Sequence, residues 1–290
     1  MNILITGHCG FIGSQAWKLL KTQGHNVFGI DDLSRGSSIP ISDEKSIIAN
    51  VKDISRIKLL KTDFDWVLHL AAQVSVVESI SNPIIDFETN ALGSFEVVQW
   101  AKERNAGVIY ASTNKVFGDL EGFTMPIKDD HSLSPKTNYG VSKCTGANYV
   151  ADYEKGWVFH QSCIYGEKQV GDINQGWVGW IRQQISRREN ITCFGDGSQV
   201  RDLLHVDDLV NLYSLVIAGK IKKGSYVTGG GIENAFSFSE VVTAFGGKIS
   251  KYENWRSNDQ KYFVSSNQGL MNQGWSPKVS FESKISSLKP

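Results

Sequence analysis

The chain has 290 residues, 41% of them hydrophobic, which suits one large α/β domain or a large domain with a smaller companion. Thirty Lys and Arg residues balance thirty Asp and Glu residues, so we expect neither nucleic acid nor a membrane surface as a partner. Apolar runs are short and broken by charges, and the N-terminus lacks the basic segment of a signal peptide. The four cysteines are scattered without metal-binding spacing, so we expect no metal and reduced thiols in the cytoplasm.

Strand-like and helix-like segments alternate through the first half of the chain. In chain order we predict strand Asn2–Thr6, helix Phe11–Gln23, strands Asn26–Asp31, Ser46–Val51 and Trp66–Ala71, helix Ile84–Arg104, strand Val108–Ser112, helix Tyr139–Lys155 and strand Val158–Ser162. This alternation predicts an α/β fold with a doubly wound parallel sheet. Glycines and polar loops predominate later, so we expect a nucleotide-binding domain at residues 1–160 and a smaller C-terminal substrate-binding lobe at residues 161–290. A segment near residues 195–220 could return to the first domain.

A glycine-rich turn follows the first strand and opens the first helix, with the spacing GxxGxxG. Such glycines let the backbone approach a pyrophosphate, whose charge the amides at the helix N-terminus can hold. Asp31 ends the second strand, 18 positions beyond Gly13. A carboxylate there accepts hydrogen bonds from ribose hydroxyls and repels a 2′-phosphate, although a solvated strand-end aspartate is the alternative. The pattern predicts a Rossmann-like unit that binds NAD through Gly7, Gly10, Phe11, Ile12, Gly13 and Asp31.

Two polar loops flank this turn in the predicted sheet. Asp32, Ser34 and Arg35 follow the second strand, and we expect them beside the cofactor. Arg35 weakens the preference for NAD over NADP without reversing it. Asp53 and Ile54 follow the third strand, where adenine contacts would fall, although chemistry alone leaves the role of Asp53 open.

A tyrosine and a lysine four residues apart begin the helix predicted at residues 139–155. This YxxxK spacing places Tyr139 and Lys143 on one helix face. We expect the ammonium of Lys143 to lower the pKa of Tyr139 towards neutrality. Tyr139 could then take a proton from a sugar hydroxyl as hydride leaves the same carbon. Hydroxyls at the end of the strand Val108–Ser112 could bind the reacting oxygen, with strand-end capping as the alternative.

Together these motifs resemble the extended short-chain dehydrogenase/reductases, the NAD-dependent sugar-nucleotide epimerase/dehydratase family. The resemblance implies that Thr113, 26 residues before Tyr139, is the third catalytic residue. It also implies a nucleotide-sugar substrate and a homodimer formed through the helices at Ile84–Arg104 and Tyr139–Lys155. Further residues of the cofactor groove implied by the resemblance are Leu70, Ala71, Ala72 and Asn90.

The residues at the end of the strand, from Thr113 onwards, distinguish the dehydratases of this family from its other enzymes. Its dehydratases carry Thr-Asp-Glu where this chain has Thr113, Asn114 and Lys115, so no carboxylic acid stands there to protonate a leaving hydroxyl. The stretches Ser112–Leu120, Gln175–Trp180 and Gly195–His205 resemble 2-epimerases of CDP-hexoses within the family. The resemblance implies arginines on the substrate diphosphate and polar substrate contacts, namely Arg201, Arg256, Asn114, Gln161 and Gln175.

Several interpretations stay open at this point. Trp177 and Trp180 could pack in a core or wall the nucleotide, and His205 could be structural or contact the nucleotide. The short stretch 118–139, His160 and Cys163 depart from the 2-epimerase pattern, which puts the sugar in doubt. A nucleotide-sugar 4-epimerase or 4-ketoreductase is the alternative enzyme. A non-catalytic dinucleotide sensor is the alternative outside catalysis, against which the YxxxK pair counts.

Overall fold

The computed structural model describes residues 1–35, 43–57, 63–257 and 259–289. Its strands are β1 Asn2–Thr6, β2 Asn26–Asp31, β3 Ser46–Ile48, β4 Trp66–His69, β5 Gly107–Thr113, β6 Gly156–Gln161, β7 Cys163–Tyr165, β8 Thr192–Phe194, β9 Val200–His205, β10 Ser225–Thr228, β11 Ala235–Ser237, β12 Lys251–Glu253 and β13 Tyr262–Phe263. Its α-helices are α1 Phe11–Thr22, α2 Val76–Ser81, α3 Pro83–Phe87, α4 Gly93–Glu103, α5 Asn138–Asp152, α6 Trp177–Arg187, α7 Val206–Ile217, α8 Phe238–Ala244, α9 Gln268–Met271 and α10 Phe281–Leu288. Among the described residues, no helix combines the length and apolarity needed to cross a membrane.

A seven-stranded parallel sheet forms the centre of the fold, in the order β10-β6-β5-β4-β1-β2-β3. The strand β1 pairs in parallel with β2 on one side and with β4 on the other. Its residues Ile3, Leu4 and Ile5 are fully buried, as a strand covered on both faces requires. The predicted doubly wound parallel sheet is therefore confirmed.

Two differences in extent have a clear local cause, while the other predicted elements match or end within three residues of the observed bounds. The strand predicted at Ser46–Val51 ends at Ile48, because the side chain of Asn50 caps a 3₁₀-helix at Val51–Arg56 by accepting the amide of Lys52. The helix predicted at Ile84–Arg104 is a series of helices that begins earlier, at Val76, where Ser75 caps α2. Pro83 starts α3, and a π-helical turn at Glu88–Leu92 joins α3 to α4.

The chain divides into two compact units. Unit 1 comprises residues 1–113, 138–159 and 210–225, and unit 2 comprises residues 114–137, 160–209 and 226–290. The units are therefore not the continuous segments 1–160 and 161–290, because the chain leaves unit 1 after β5 and returns to it twice.

Each unit has its own hydrophobic core. In unit 1, strand residues such as Val67 and Val108 pack with Trp100 of α4. In unit 2, β9 lies in a four-stranded sheet with β7, β11 and β13. Trp180 is buried in the core of unit 2, and the ring of Trp177 stacks on Phe238 with centroids 5.7 Å apart. Both tryptophans are thus core residues in this structure.

Candidate active site

The glycine-rich turn between β1 and α1 has the geometry of a dinucleotide cradle. Gly7 has φ +72°, and a Cβ added there would lie 2.7 Å from the amide nitrogen of Ala71. A Cβ at Gly13 would lie 2.1 Å from the carbonyl oxygen of Gly7. No side chain caps α1 at Gly10, so the amides of Phe11, Ile12 and Gly13 are left for an anion at the helix N-terminus. The turn therefore fits a bound pyrophosphate.

Asp31 shapes this turn through its carboxylate. Its Oδ2 accepts the amide of Cys9 at 2.9 Å, and its Oδ1 accepts the amide of Leu33 at 2.9 Å. A carboxylate has about four acceptor sites, so Asp31 can still accept hydrogen bonds from ribose hydroxyls. The position at the end of β2 is the one predicted for discrimination against a 2′-phosphate.

The residues after Asp31 are held by nearby side chains. Asp32 accepts the amide of Ser34 at 3.0 Å and the side-chain amide of Asn50 at 3.0 Å. Arg35 pairs with Glu78 of α2, with Nη1 and Oε2 3.3 Å apart. An arginine already paired with a carboxylate is a weaker partner for a 2′-phosphate, which agrees with a preference for NAD.

Three potential metal ligands meet in this turn, although their sequence spacing did not indicate a site. His8, Cys9 and Asp31 each offer one ligand atom, and these atoms lie within 4.8 Å of one another. His8 Nε2 lies 2.6 Å from Ser46 Oγ, and Asp31 accepts two backbone amides. These contacts show that the three residues help to hold the turn in place, and we assign no metal to them.

Loops after β3 and β4 supply the other predicted cofactor residues. Asp53 pairs with Arg56 at 3.2 Å, whereas Ile54 is fully buried in the core, and its carbonyl oxygen accepts the amide of Ile57. The amides of Leu70 and Ala71 both donate to Thr6 Oγ1 at 3.2 Å, which fixes the loop that continues through Ala72.

Asn90 connects this loop to α5 from the π-helical turn. Its Oδ1 accepts the amide of Gln73 at 2.9 Å, while its Nδ2 lies 2.9 Å from the Gln73 carbonyl oxygen. The same nitrogen lies 3.0 Å from Asp86 Oδ1 and 3.2 Å from Ser142 Oγ. Because both ends of its side-chain amide are hydrogen-bonded to protein groups, Asn90 holds the residues around the cofactor groove in place.

The structure brings the three predicted catalytic residues together in unit 1. Thr113 ends β5, and its hydroxyl is hydrogen-bonded to the phenol of Tyr139. Tyr139 lies in the first turn of α5, where its amide donates to Ser79 Oγ at 3.1 Å. Lys143 follows one turn later, buried, with Nζ 4.1 Å from the ring centroid of Tyr110. A hydroxyl, a phenol and an amine thus share one buried region.

The expected near-neutral pKa of Tyr139 is wrong for the chain without cofactor. Burial raises the pKa of Tyr139 to about 12, although the hydrogen bond with Thr113 acts in the opposite direction. Burial lowers the pKa of Lys143 to about 7, against the attraction of Asp86. Loss of hydration outweighs pairing here, because both groups are almost fully enclosed by protein. Lys143 is therefore the group of the pair that titrates near neutral pH.

Asp86 is a site residue that the sequence analysis missed. Its buried carboxylate is hydrogen-bonded to Asn90 and Ser142, and burial raises its pKa. Its charge favours the ammonium form of Lys143. The available signal was the spacing of Asp86 and Asn90, two polar residues four positions apart within a helical stretch.

Unit 2 contains a cluster of charged residues around Asp259, which we call the basic cluster: Lys115, Arg201, Arg256 and Asp259. Asp259 Oδ1 lies 3.0 Å from Lys115 Nζ and 3.5 Å from Arg201 Nη2. Arg256 is attracted to Asp259, and its guanidinium lies 3.8 Å from the ring centroid of Phe194. The structure thus brings the two predicted arginines to one carboxylate. Lys115 and Asp259 were not predicted as site residues.

The other predicted substrate residues have different surroundings in unit 2. Asn114 is buried, and its carbonyl oxygen accepts Gln260 Nε2 at 2.9 Å. Gln161 is buried at the end of β6, whereas Gln175 is exposed and pairs through its backbone with Asp172. A cavity of about 440 Å³ is lined by Asp119, Leu120, Glu121, Gly122, Phe123, Met125, Trp255, Arg256, Asp259, Lys261 and Tyr262.

His205 has a structural role. Its Nε2 lies 3.1 Å from Glu167 Oε2, and its Nδ1 accepts the amide of Asp207 at 3.2 Å. Because both ring nitrogens are satisfied and the side chain is fully buried, the structure favours the structural alternative over a nucleotide contact.

Comparisons with known proteins identify the family. Residues 3–229 match the model of the NAD dependent epimerase/dehydratase family. The chain belongs to this family. It is an NAD-dependent enzyme of the epimerase type, and NAD is its cofactor, as the glycine-rich turn and Asp31 predicted.

One curated relative of this family member is the CDP-paratose 2-epimerase of Salmonella typhi, 33% identical over 332 aligned positions that cover 99% of the chain and 98% of the relative. The alignment has more positions than the chain has residues, so the relative carries segments that this chain lacks.

Two solved structures are similar over nearly their whole length. The UDP-glucose 4-epimerase of Thermotoga maritima, solved with UDP-glucose, has a TM-score of 0.88 at 27% identity and covers 100% of this chain and 97% of its own. The UDP-glucose 4-epimerase of Thermus thermophilus, solved with NAD, has a TM-score of 0.86 at 27% identity and covers 98% and 96% of the two chains.

Proposed function

We propose that this enzyme is an NAD-dependent CDP-hexose 2-epimerase that works by transient oxidation of the sugar. The observation that carries the proposal is the buried group of Thr113, Tyr139 and Lys143. In the sequence, Thr113 is followed directly by Asn114 and Lys115 and not by the two acids of the dehydratases. Similarity to the Salmonella typhi 2-epimerase over nearly the whole chain supports carbon 2 and a CDP-linked sugar.

The chemistry needs a group that moves one proton reversibly. Bound NAD supplies the hydride acceptor and donor. Tyr139 takes the proton of the sugar hydroxyl during oxidation and returns it after the keto sugar has presented its other face, while Thr113 holds the oxygen. In the protonated form, Lys143 stabilises the phenolate of Tyr139, and Asp86 favours that form of Lys143.

The substrate diphosphate is assigned to the basic cluster of unit 2. Arg201 and Arg256 offer guanidinium groups, which suit bidentate contacts to phosphate oxygens. Asn114, Gln161 and Gln175 are proposed as polar contacts to the remainder of the substrate. Among them, Asn114 and Gln161 are buried, as a group held in one orientation for recognition should be.

A nucleotide-sugar 4-epimerase is the second candidate, because the two UDP-glucose 4-epimerases share this fold over nearly the whole chain. The same three catalytic residues could serve carbon 4 if the sugar were bound in another orientation. A 4-ketoreductase would use them for one direction only and would consume reduced cofactor.

A panel of CDP- and UDP-hexoses in heavy water, followed by NMR, separates these reactions. The 2-epimerase should invert carbon 2 of a CDP-hexose without net consumption of NADH and without deuterium at that carbon. Inversion at carbon 4 would establish the second candidate, and stoichiometric use of NADH would establish the ketoreductase. Tyr139→Phe serves as the inactive control, which excludes a contaminating activity.

We also propose a homodimer formed through α2, α3 and α5 of unit 1. Several large apolar side chains on these elements and the adjoining π-helical turn are exposed: Val77, Ile80, Ile84, Ile85, Phe87, Leu92, Val141 and Tyr149. A patch of this kind is typical of a protein interface. Light scattering should give twice the chain mass, and Ile84→Glu with Phe87→Glu should give the monomer mass.

A cytoplasmic location is part of the same proposal. The four cysteines, all of them described, form no disulfide, which is typical of a reducing compartment.

A further inference from the structure

Tyr110 is a fully buried aromatic residue that the proposed reaction does not use. It lies in β5, three positions before Thr113. The Nζ of Lys143 lies over its ring, 4.1 Å from the centroid. Lys143 therefore packs its amine against an aromatic ring, while Asp86 of α3 attracts it electrostatically.

The hydroxyl of Tyr110 is held by groups of α4 and α5. It is hydrogen-bonded to the side chain of Ser94, and it lies 3.4 Å from the carbonyl oxygen of Lys143. A Cβ added at Gly146 of α5 would lie 2.5 Å from this hydroxyl and 2.7 Å from Ser94 Oγ. The missing side chain of Gly146 thus makes room for the phenol against the helix that carries Lys143.

Ser94 is fixed in turn by His69. Burial lowers the pKa of His69 to about 3, so its ring is neutral and has one donor and one acceptor nitrogen. Thr6 Oγ1, which accepts two backbone amides of the loop after β4, lies 2.7 Å from His69 Nδ1 and donates its proton there. The proton of His69 is therefore on Nε2, 3.0 Å from Ser94 Oγ. Ser94 Oγ donates to the Asn90 carbonyl oxygen at 2.6 Å, so it accepts from the imidazole and from the phenol of Tyr110. This chain of hydrogen bonds fixes the orientation of the Tyr110 ring.

An aromatic ring stabilises an ammonium group in a way that a carboxylate does not. The face of the ring is the negative side of a quadrupole, which attracts a cation, and the attraction is stronger where water is excluded. Because the ring has no net charge, it does not cancel the positive field that Lys143 exerts on Tyr139. It also offers no oxygen acceptor, so it leaves the N–H donors of Lys143 to other groups.

Other titratable groups near this pair belong to three elements. Asp86 of α3 attracts the catalytic lysine, and His69 of β4 is neutral. Tyr139 and Cys144 lie on α5 itself and act on the phenol of Tyr110. Burial raises the pKa of this phenol, so it stays protonated near neutral pH. The ring and the charge of Asp86 therefore act together against the loss of hydration that lowers the pKa of the lysine.

We propose that Tyr110 is the positioning residue of Lys143: the face of its ring holds the ammonium in place and stabilises it without cancelling its charge towards Tyr139. Tyr110 acts through Lys143 and transfers neither a proton nor a hydride itself. This assignment rests on the proposed roles of Tyr139 and Lys143, and it does not depend on which carbon is inverted.

Fluorinated phenylalanines at position 110 weaken the attraction of the ring with little change in its size. Each fluorine withdraws electron density from the ring face, so Tyr110→Phe followed by the 4-fluoro, 3,5-difluoro and 3,4,5-trifluoro forms makes a graded series. NMR of cofactor-free protein labelled with carbon-13 lysine reports the titration of Lys143, whose signal is assigned by its absence from Lys143→Met.

The pKa of Lys143 should fall at each fluorine, because the ring favours the protonated form. The fall should reach about one pH unit over the series. Tyr110→Phe keeps the ring face, so its Lys143 should titrate close to that of the wild type.

The same fluorinated series at Phe64 is the matched control. Phe64 is buried in the core of unit 1, where its ring packs on those of Phe28 and Trp100. Fluorine there should leave the pKa of Lys143 unchanged. An equal shift from both positions would assign the effect to a general change of the core and would overturn the proposal.

Turnover gives a second readout. Lys143 must be protonated to stabilise the phenolate of Tyr139, so the alkaline limb of kcat/KM for the NAD-loaded enzyme should move to lower pH along the series at position 110. A falling pKa with an unmoved alkaline limb would support the contact between Tyr110 and Lys143 and refute the proposed role of Lys143 in turnover.

A constant pKa of Lys143 along the fluorinated series would overturn the proposal. So would a full shift in Tyr110→Phe with no further effect of fluorine, because that pattern assigns the effect to the hydroxyl. The NMR titration needs no substrate, so absence of turnover on every nucleotide sugar would refute the proposed function and leave this assignment standing.

Discussion

Replacing Lys143 by methionine tests the electrostatics of the catalytic pair through protein stability. Burial lowers the pKa of Lys143 from 10.5 to about 7. Between these two pH values the unfolded chain binds one more proton than the folded chain, so the free energy of unfolding should rise with pH. This pH-dependent gain in the free energy of unfolding is lost as the pH falls towards 7, because Lys143 then becomes protonated and the folded protein must bury an ammonium group.

The size of the effect follows from the shift. One proton contributes about 1.4 kcal/mol per pH unit, so the wild type should gain about 2 kcal/mol relative to Lys143→Met between pH 7 and pH 9. The window ends at about pH 9 because burial also raises the pKa values of Tyr110 and Tyr139, which lowers stability at higher pH in both proteins alike.

Urea unfolding of cofactor-free protein at several pH values gives the comparison. The difference between the two proteins is the relevant quantity, because lost packing shifts the Lys143→Met curve by a constant amount. Lys18→Met, at an exposed lysine of α1 in the same unit, should follow the wild type at every pH. Parallel curves for wild type and Lys143→Met would refute a lowered pKa for Lys143.

Four further variants test the cofactor site, the proton transfer and the diphosphate site. Asp31→Asn removes the charge that repels a 2′-phosphate, so its preference for NAD over NADP in fluorescence titrations should fall; an unchanged preference would assign discrimination to other residues. Tyr139→Phe should retain NAD binding and lose at least about a hundredfold in kcat, and near-normal turnover would remove Tyr139 from the mechanism. Arg201→Ala and Arg256→Ala should each raise KM for the nucleotide sugar by about tenfold or more without altering NAD affinity. An equal weakening of nucleotide-sugar binding and of NAD binding would indicate a structural role.

The sequence was sufficient for the features that depend on local order along the chain. The alternation of strands and helices predicted the parallel sheet, because each segment must bury its apolar face within a short stretch. The turn from Gly7 to Gly13 and the spacing of Tyr139 and Lys143 are local as well, and the structure keeps both on the predicted elements. Element boundaries were less well predicted: the Asn50 cap ends the third strand early, and Ser75 caps an additional helix before the one predicted from Ile84.

The protonation states and the shared counter-ions were decided by tertiary structure alone. Nothing in the spacing of Tyr139 and Lys143 reveals how completely both are enclosed, yet that enclosure sets the direction of both pKa shifts. Lys115 and Asp259 are 144 positions apart in the chain and meet only because unit 2 is built from separate segments. Sequence spacing indicates which groups a helix or turn presents, whereas the loss of water and the nearest opposite charge depend on residues that only folding brings together.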